Sequence, residues 1–359
     1  MDIWLHGITT ALPGVAYTQR EAAEQMEGWT ADPRDQRLSR IAHKTSGIEQ
    51  RHSVVKSFDG DFFARDADGR LVEPSTGRRN AIFKEAGIPL ACRAVETLFN
   101  TVSVARESIT HLITVSCTGF FNPGLDYHIV QNCGVSDSVQ RYHLGFMGCY
   151  AALPAVHMAQ QFCAADEHAV VLVVCLELCS LHLKPNGGRD AILANALFSD
   201  GAAACLVSAH QPETPALRLG ERTTRLVNEG ASEMAWSIGD LGFDMVLSSY
   251  VPKLIGSKIK TLVQDALDDP GNIDLWAVHP GGKAIVDAVQ GALSLADAQV
   301  QAPRNVLRNF GNMSSVTILF VLHELLATAP AGHSVCAMAF GPGLTVELYR
   351  MELAAGEGA

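Results

Sequence analysis

HLITVSC at residues 111–117 and IDLWAVHPGG at residues 273–282 decide how this chain folds. Each is a short β-rich run that ends in small or turn-forming residues. Each opens a unit of the same plan. From Val115 to Cys149 is 34 residues, and from Val278 to Asn312 is again 34. A helix-like run follows in both places, YAALPAVHMAQQF after Cys149 and MSSVTILFVLHELL after Asn312. Then comes a buried strand, HAVVLVVCLE (168–177) or HSVCAMAFGPG (333–343), and a further β-rich stretch, GAAACLVSA or LTVELYRM. The strands are continuous apolar runs, as expected for a sheet buried between helix layers. Strand, helix, strand, strand at matched spacing predicts a duplicated α/β unit. The halves are drawn at residues 1–215 and 216–359. Cys149 and Asn312 then fall at equivalent points, each at a helix N-terminus facing a shared centre.

Length and composition agree with two halves. The 359 residues exceed one ordinary core. Hydrophobic residues make up 48% and charged residues 18%, a core-rich composition without a disordered signature. A formal net charge of -11 speaks against a nucleic-acid surface or an anionic membrane as the main partner. No run of 18 apolar residues exists, so no membrane span is expected. MDIWLHGITTALPG lacks the basic start and apolar run of an export signal. The nine cysteines have no framework spacing and read mostly as buried free thiols of a cytoplasmic protein.

Among those nine, Cys149 is set apart by position. A cysteine in the first turn of a helix lies near unsatisfied N–H groups and the positive end of the dipole. Both favour the thiolate, which is the nucleophile. Gly148 permits a tight turn before it, and Pro154 is tolerated only near a helix start. The alternative is a small helix-packing residue. His279 ends a buried strand before Pro-Gly-Gly and can reach into a central site, or sit satisfied at the surface. Asn312 precedes a long apolar run and is either a helix N-cap or an amide donor. Cys, His and Asn together can act as nucleophile, base and amide donor. Papain-like proteases use the same three, but neither their sequence context nor a duplication fits them. Gly341 and Gly343 around Pro342 make a rigid loop that can bring backbone close to a ligand, or a plain turn.

GFMGCYAA, WAVHPGGKAI, GNMSSVTILF and FGPGLTVE, in that order, resemble the type III polyketide synthases, the chalcone-synthase-like family. The likeness runs from about Ile8 to Tyr349 and includes the 33-residue interval from His279 to Asn312. It implies an α/β duplicated thiolase fold, five-layered αβαβα, in a homodimer. It also implies that Cys149 is the acyl-thioester nucleophile, held as a thiolate by the histidine. His279 and Asn312 would hold the thioester carbonyl of malonyl-CoA as decarboxylation leaves an enolate. No metal and no bound cofactor are implied, because CoA thioesters carry the activated groups.

The resemblance extends to the cavity. NALFSDGAAA is similar to the family's gatekeeping segment and puts Phe198 between CoA tunnel and cavity; a core aromatic is the alternative. SCTGFFNPG is similar to the cavity-wall and dimer-contact loop, with Cys117 and Thr118 lining the cavity and Asn122 crossing to the partner. ELCSLH places Cys179 and His182 on the wall, and Ser314 is a further wall position. The basic run Arg37, Arg40, Lys44, Arg51 and Lys56 is a candidate for CoA phosphates, with Arg51 and Lys44 taken as its binding residues; a solvated helix face is the alternative. ELCSLH and SCTGF look more like bacterial members that make alkylresorcinols and alkylpyrones from a fatty acyl-CoA starter and malonyl-CoA. Aromatic or malonyl starters, a carrier-protein-dependent condensing enzyme that initiates fatty-acid synthesis, and a non-catalytic partner-binding relative are the competing readings.

Overall fold

Nine strands form one mixed sheet in a computed structural model that describes residues 1–185, 187–267 and 270–356. They are β1 (Trp4–Ala11), β2 (His111–Ser116), β3 (Gln140–Gly145), β4 (Val170–Leu178), β5 (Asp200–Ser208), β6 (Ala216–Leu226), β7 (Leu275–Val278), β8 (Ser334–Gly341) and β9 (Thr345–Ala354). Their order is β7-β8-β9-β6-β1-β5-β4-β2-β3. Read outward from the β1–β6 contact, the two sides repeat each other. Strands β2 and β4 are parallel, and so are β7 and β8. Strands β5 and β9 then run antiparallel to β4 and β8, and β1 and β6 antiparallel to those. His111 pairs with Val171 and Leu275 with Val335, an offset of 60 residues in each half. Within the sheet the halves join through the paired residues Trp4 with Arg218 and Leu5 with Leu217. Among the described residues, β3 has no second-half counterpart.

The strands are apolar throughout because both faces are covered, and alternation assigns each residue to a layer. Ile113, Val115, Val171, Val173 and Cys175 face a central core with Ala277, Val335, Ala337 and Ala339. Between them lie α1 (Ala152–Ala165) and α2 (Val316–Thr328), whose first turns are almost entirely buried. Leu112, Leu172, Val174 and Leu176 face outward onto helices Thr76–Thr101 and Leu125–Cys133. Trp276, Val278, Cys336 and Met338 face outward onto helices Val251–Ala266 and Lys283–Leu293. The result is five layers, αβαβα, with the continuous sheet supplying both β layers, as the family resemblance implies. No described helix is long and apolar enough to cross a membrane.

The layers correct the match in one detail. Val115 faces the central core, whereas Val278 faces the outer one. A side-chain period of two makes a one-residue slip a change of face. The counterpart of Val115 is therefore His279, whose N–H continues the β7–β8 ladder onto Met338 O at 2.6 Å.

Candidate active site

The carboxyl ends of the parallel strands β2, β4, β7 and β8 converge, as ligand sites in open α/β sheets do. Cys117 and Thr118 follow β2, Cys179 follows β4, His279 follows β7 and Pro342 follows β8. Cys149 and Asn312 lie in the loops that lead into α1 and α2. They stand three and four residues before the helices, not in the first turns. The two loops are built alike. Gly148 and Gly311 precede them with φ of +91° and +70°, a region glycine adopts readily. Turns from Gly148 O to Ala151 N and from Met313 O to Val316 N then enter the helices.

Cys117, Thr118, Cys149, Cys179, Phe198, His279, Asn312, Ser314 and Pro342 line one cavity of about 290 Å³. Its floor is buried, and exposed Thr45, Lys283 and Ala284 mark its mouth. Phe198 packs with Cys179, Ala194, Cys149 and Met245. The hairpin Met234–Gly239/Gly242–Leu247 roofs the cavity, and Trp236 Nε1 donates to Cys117 O at 3.0 Å.

The chemistry of the three central groups is set by burial. His279 is 1% exposed and neither ring nitrogen has a protein partner. Burial lowers its pKa to about 3, so the imidazole is neutral at physiological pH. Burial also pushes the Cys149 thiol up to about 11, against hydrogen bonds from Ser314 and Asn312 that pull it down. This corrects the expected lowering by a helix start: desolvation outweighs it, and burial favours the neutral form of both groups. The Asn312 carboxamide is fixed in one sense. Its Oδ1 accepts from Ser314 N at 2.8 Å and its Nδ2 donates to Gly281 O at 3.1 Å. One Nδ2 hydrogen remains for the cavity. Ser314 holds a positive φ of 48° and its Oγ is 3.2 Å from Cys117 Sγ.

Four expected residues lie elsewhere. His182 stacks on Phe243 with ring centres 4.0 Å apart, donates from Nε2 to Thr118 O and accepts at Nδ1 from Phe243 N. It lines a separate cavity of about 60 Å³ behind Cys179 and Phe198. Gly341 backs the Cys149 loop rather than the cavity, and Gly343 does not line the cavity either. A Cβ on Gly341 would stand 2.2 Å from Tyr150 Cδ1, and Gly343 has φ +90°. Arg51 is fully buried and donates to Asn195 O and Phe198 O, so it has no surface to offer a phosphate. Lys44 is exposed beside Thr45 at the mouth, and Asn122 is exposed on the loop after β2.

Glu177 was not among the expected site residues. It is fully buried at the end of β4 and accepts from Ser315 Oγ, Thr118 Oγ1 and Cys117 N, among others. Burial raises its pKa. A carboxylate inside VVLVVCLEL is the signal that could have found it, since a charge there needs a dedicated shell. Trp236 and Met245 carried no such signal, because an exposed-looking hairpin gives no hint that it covers a cavity. Among the described residues, no group of three or more His, Cys, Asp or Glu could hold a metal ion.

Comparison with known proteins agrees with this geometry. The chalcone and stilbene synthases match over residues 5–211 with their N-terminal domain and over 219–353 with their C-terminal domain. The alpha-pyrone synthesis polyketide synthase-like Pks18 of Mycobacterium tuberculosis is 32% identical over 96% of this chain and 89% of its own. The 3,5-dihydroxyphenylacetyl-CoA synthase of Amycolatopsis orientalis is 28% identical over 95% of this chain and 91% of its own. The type III polyketide synthase domain of Steely1 from Dictyostelium superposes with a TM-score of 0.89 at 25% identity, covering 98% of this chain and 99% of that one. The chain therefore belongs to the chalcone and stilbene synthase family, the type III polyketide synthases, whose members are malonyl-CoA-condensing acyltransferases.

Proposed function

We propose that this cavity extends a fatty acyl starter on Cys149 with malonyl units and closes the chain to an alkylresorcinol or alkylpyrone. The observation that carries it is the neutral, unpartnered His279 imidazole in one cavity with Cys149 and the oriented Asn312 carboxamide. In loading, Cys149 Sγ attacks the acyl-CoA thioester, its proton passes by way of His279 to the CoA sulfur, and CoA leaves as the thiol. Malonyl-CoA then places its thioester carbonyl between His279 Nε2–H and Asn312 Nδ2–H. The bond to the carboxylate breaks, carbon dioxide leaves, and the electron pair becomes an enolate held by those two donors. The enolate carbon attacks the Cys149 thioester, the carbon–sulfur bond breaks with the Cys149 thiolate as leaving group, and the extended chain is left on the CoA that brought the malonyl unit.

Leu193, Leu197, Met234, Met245, Leu247 and Val251 give the cavity its apolar walls, which suit an alkyl starter. The Pks18 likeness supports a pyrone. Arg37, Arg40 and Lys44 stand three and four residues apart on helix Pro33–Thr45, whose end reaches the mouth, and are the proposed phosphate contacts. The acting species is proposed to be a cytoplasmic homodimer of chains with halves 1–215 and 216–359, with Asn122 at the contact. Octanoyl- to palmitoyl-CoA with labelled malonyl-CoA should each give labelled product, and Cys149→Ala should give none. Product from malonyl-CoA alone but from no fatty starter would refute the starter. Unchanged yield in Cys149→Ala would refute the mechanism.

A further inference from the structure

We infer that Arg51 is a positioning residue for decarboxylation, fixing the backbone of Phe198 and, through it, the place of Asn312. The inference rests on the reading above for the roles of Phe198 and Asn312. Arg51 lies on the short strand Gln50–Ser53 and is 0% exposed. Among the described residues it has no ion-pair partner. Asp200, the carboxylate that acts on it, is itself occupied by Ser180 N, Ser180 Oγ and Val54 N. A buried cation without a paired carboxylate is an expensive choice, and an apolar side chain of similar length would fill the space more cheaply.

What the guanidinium does there is specific. One nitrogen, Nη1, donates to Asn195 O at 2.6 Å and to Phe198 O at 2.9 Å. The other two nitrogens have no protein partner. The segment so held is bonded directly to Asn312. Asn312 N donates to Leu197 O at 3.0 Å, and Ser199 N donates to Asn312 O at 2.9 Å. The stem of Arg51 packs from the other side: a Cβ on Gly311 would stand 3.1 Å from both Arg51 Cγ and Leu197 O. Arg51 thus touches the residue before Asn312, and it fixes the carbonyl of the residue that bridges to Asn312. The neighbouring His52 adds a tie, with its N–H donating to Ser199 Oγ at 2.9 Å.

Without Arg51 two buried carbonyls lose their donor, and the Phe198 segment can shift with Asn312 attached. A misplacement of about 1 Å at a reacting group can cost roughly 100-fold in rate. The step that suffers is decarboxylation, which uses Asn312, more than loading, which needs the Cys149 nucleophile.

The test uses Arg51→Met and Arg51→Lys in the full chain. Three quantities are measured: acylation of Cys149 by intact mass, malonyl-CoA decarboxylation by carbon dioxide release, and the thermal midpoint. Arg51→Met should lower kcat for decarboxylation about tenfold or more while acylation stays within about twofold. Arg51→Lys should recover most of it, because one ammonium can serve both carbonyls as Nη1 does. Equal losses in both steps, or no loss in decarboxylation, would overturn the inference. Should Met unfold the chain, the folded Lys variant still decides: decarboxylation and acylation lowered by one common factor overturn it, and a selective loss supports it. Wild-type protein inert towards malonyl-CoA would instead refute the proposed function, and this inference with it.

Discussion

Replacing Gly148 by alanine tests whether the Gly-Pro-Gly loop sets the position of Cys149. Gly148 has φ +91°, and a Cβ there would stand 2.6 Å from Pro342 Cδ and 3.1 Å from Pro342 Cγ. The left-handed backbone alone costs alanine about 1–2 kcal/mol. The contact adds overpacking, typically about 1–3 kcal/mol. The proline ring is a poor place to yield, because Gly341 beside it already lies against Tyr150 with no room for a side chain. Opening 2.6 Å to an ordinary contact of about 3.5 Å needs a shift of roughly 0.9 Å. Taken up by the Cys149 loop, such a shift predicts a loss of about 10- to 100-fold in acylation. Denaturant midpoints should report a destabilisation of about 2–5 kcal/mol, and quenched intact-mass measurements the acylation rate. Pro342→Ala removes the ring atoms in the way. The double variant should then recover the overpacking part and keep the backbone part, a coupling of about 1–3 kcal/mol. Additive single effects within about 0.5 kcal/mol, or normal acylation in Gly148→Ala, would refute the reasoning.

Asn312→Asp replaces the Nδ2 donor by an acceptor facing Gly281 O. Decarboxylation should fall about 10²- to 10³-fold while intact mass still shows acyl-Cys149. Glu177→Gln turns one acceptor into a donor against Cys117 N and Thr118 Oγ1. The Thr118 hydroxyl cannot reverse freely, since it accepts from Leu178 N at 2.9 Å, so denaturant titration should show a loss of about 1–3 kcal/mol. Burial lowers the pKa of His6 and His43 to about 4 and of His182 and His279 to about 3, from 6.5. Their contribution to stability is complete above pH 6.5 and is lost as pH falls towards 4 and 3. The unfolded chain binds more protons in that window, so each histidine gives a slope of up to about 1.4 kcal/mol per pH unit. His43→Gln should reduce the measured slope of unfolding free energy near pH 5 by about one such histidine; an unchanged slope would show His43 to be protonated in the fold.

The duplication was legible because two buried sheets need continuous apolar strands, and such runs stand out at matched spacing. Its register was legible only to one residue, because continuous runs hide the alternation that would tell inner from outer faces. Cys149, His279 and Asn312 could be picked out because glycines and a Pro-Gly-Gly turn mark the loops that hold them. The upward shift of Cys149 was not legible, since burial is set by residues distant in sequence, as is the nearby carboxylate of Glu177 that adds to it. Arg51 misled for the same reason. A basic run looks alike whether its residues face water, as Lys44 does, or turn inward, as Arg51 does on its short strand.

The corrected register shows how one repeated backbone produces an asymmetric site. His279 stands where the first half has Val115, on the inner face at the end of a parallel strand. By the same offset, Glu177 stands where the second half has Gly341. The first exchange puts a neutral hydrogen-bond donor into a position that packing alone would make apolar. The second works in the opposite sense: the missing side chain at Gly341 leaves room for Tyr150, next to Cys149, where the first half has a carboxylate. The connections differ as well. β8 turns into β9 within a few residues, whereas the link from β4 to β5 spans residues 179–199 and carries Cys179, Leu193 and Phe198 to the cavity. The second half thus supplies His279, Asn312 and most of the cavity lining, and the first half supplies Cys149 and the smaller share of the wall. Neither half holds both, so the site exists only where the two loops meet across the shared central core.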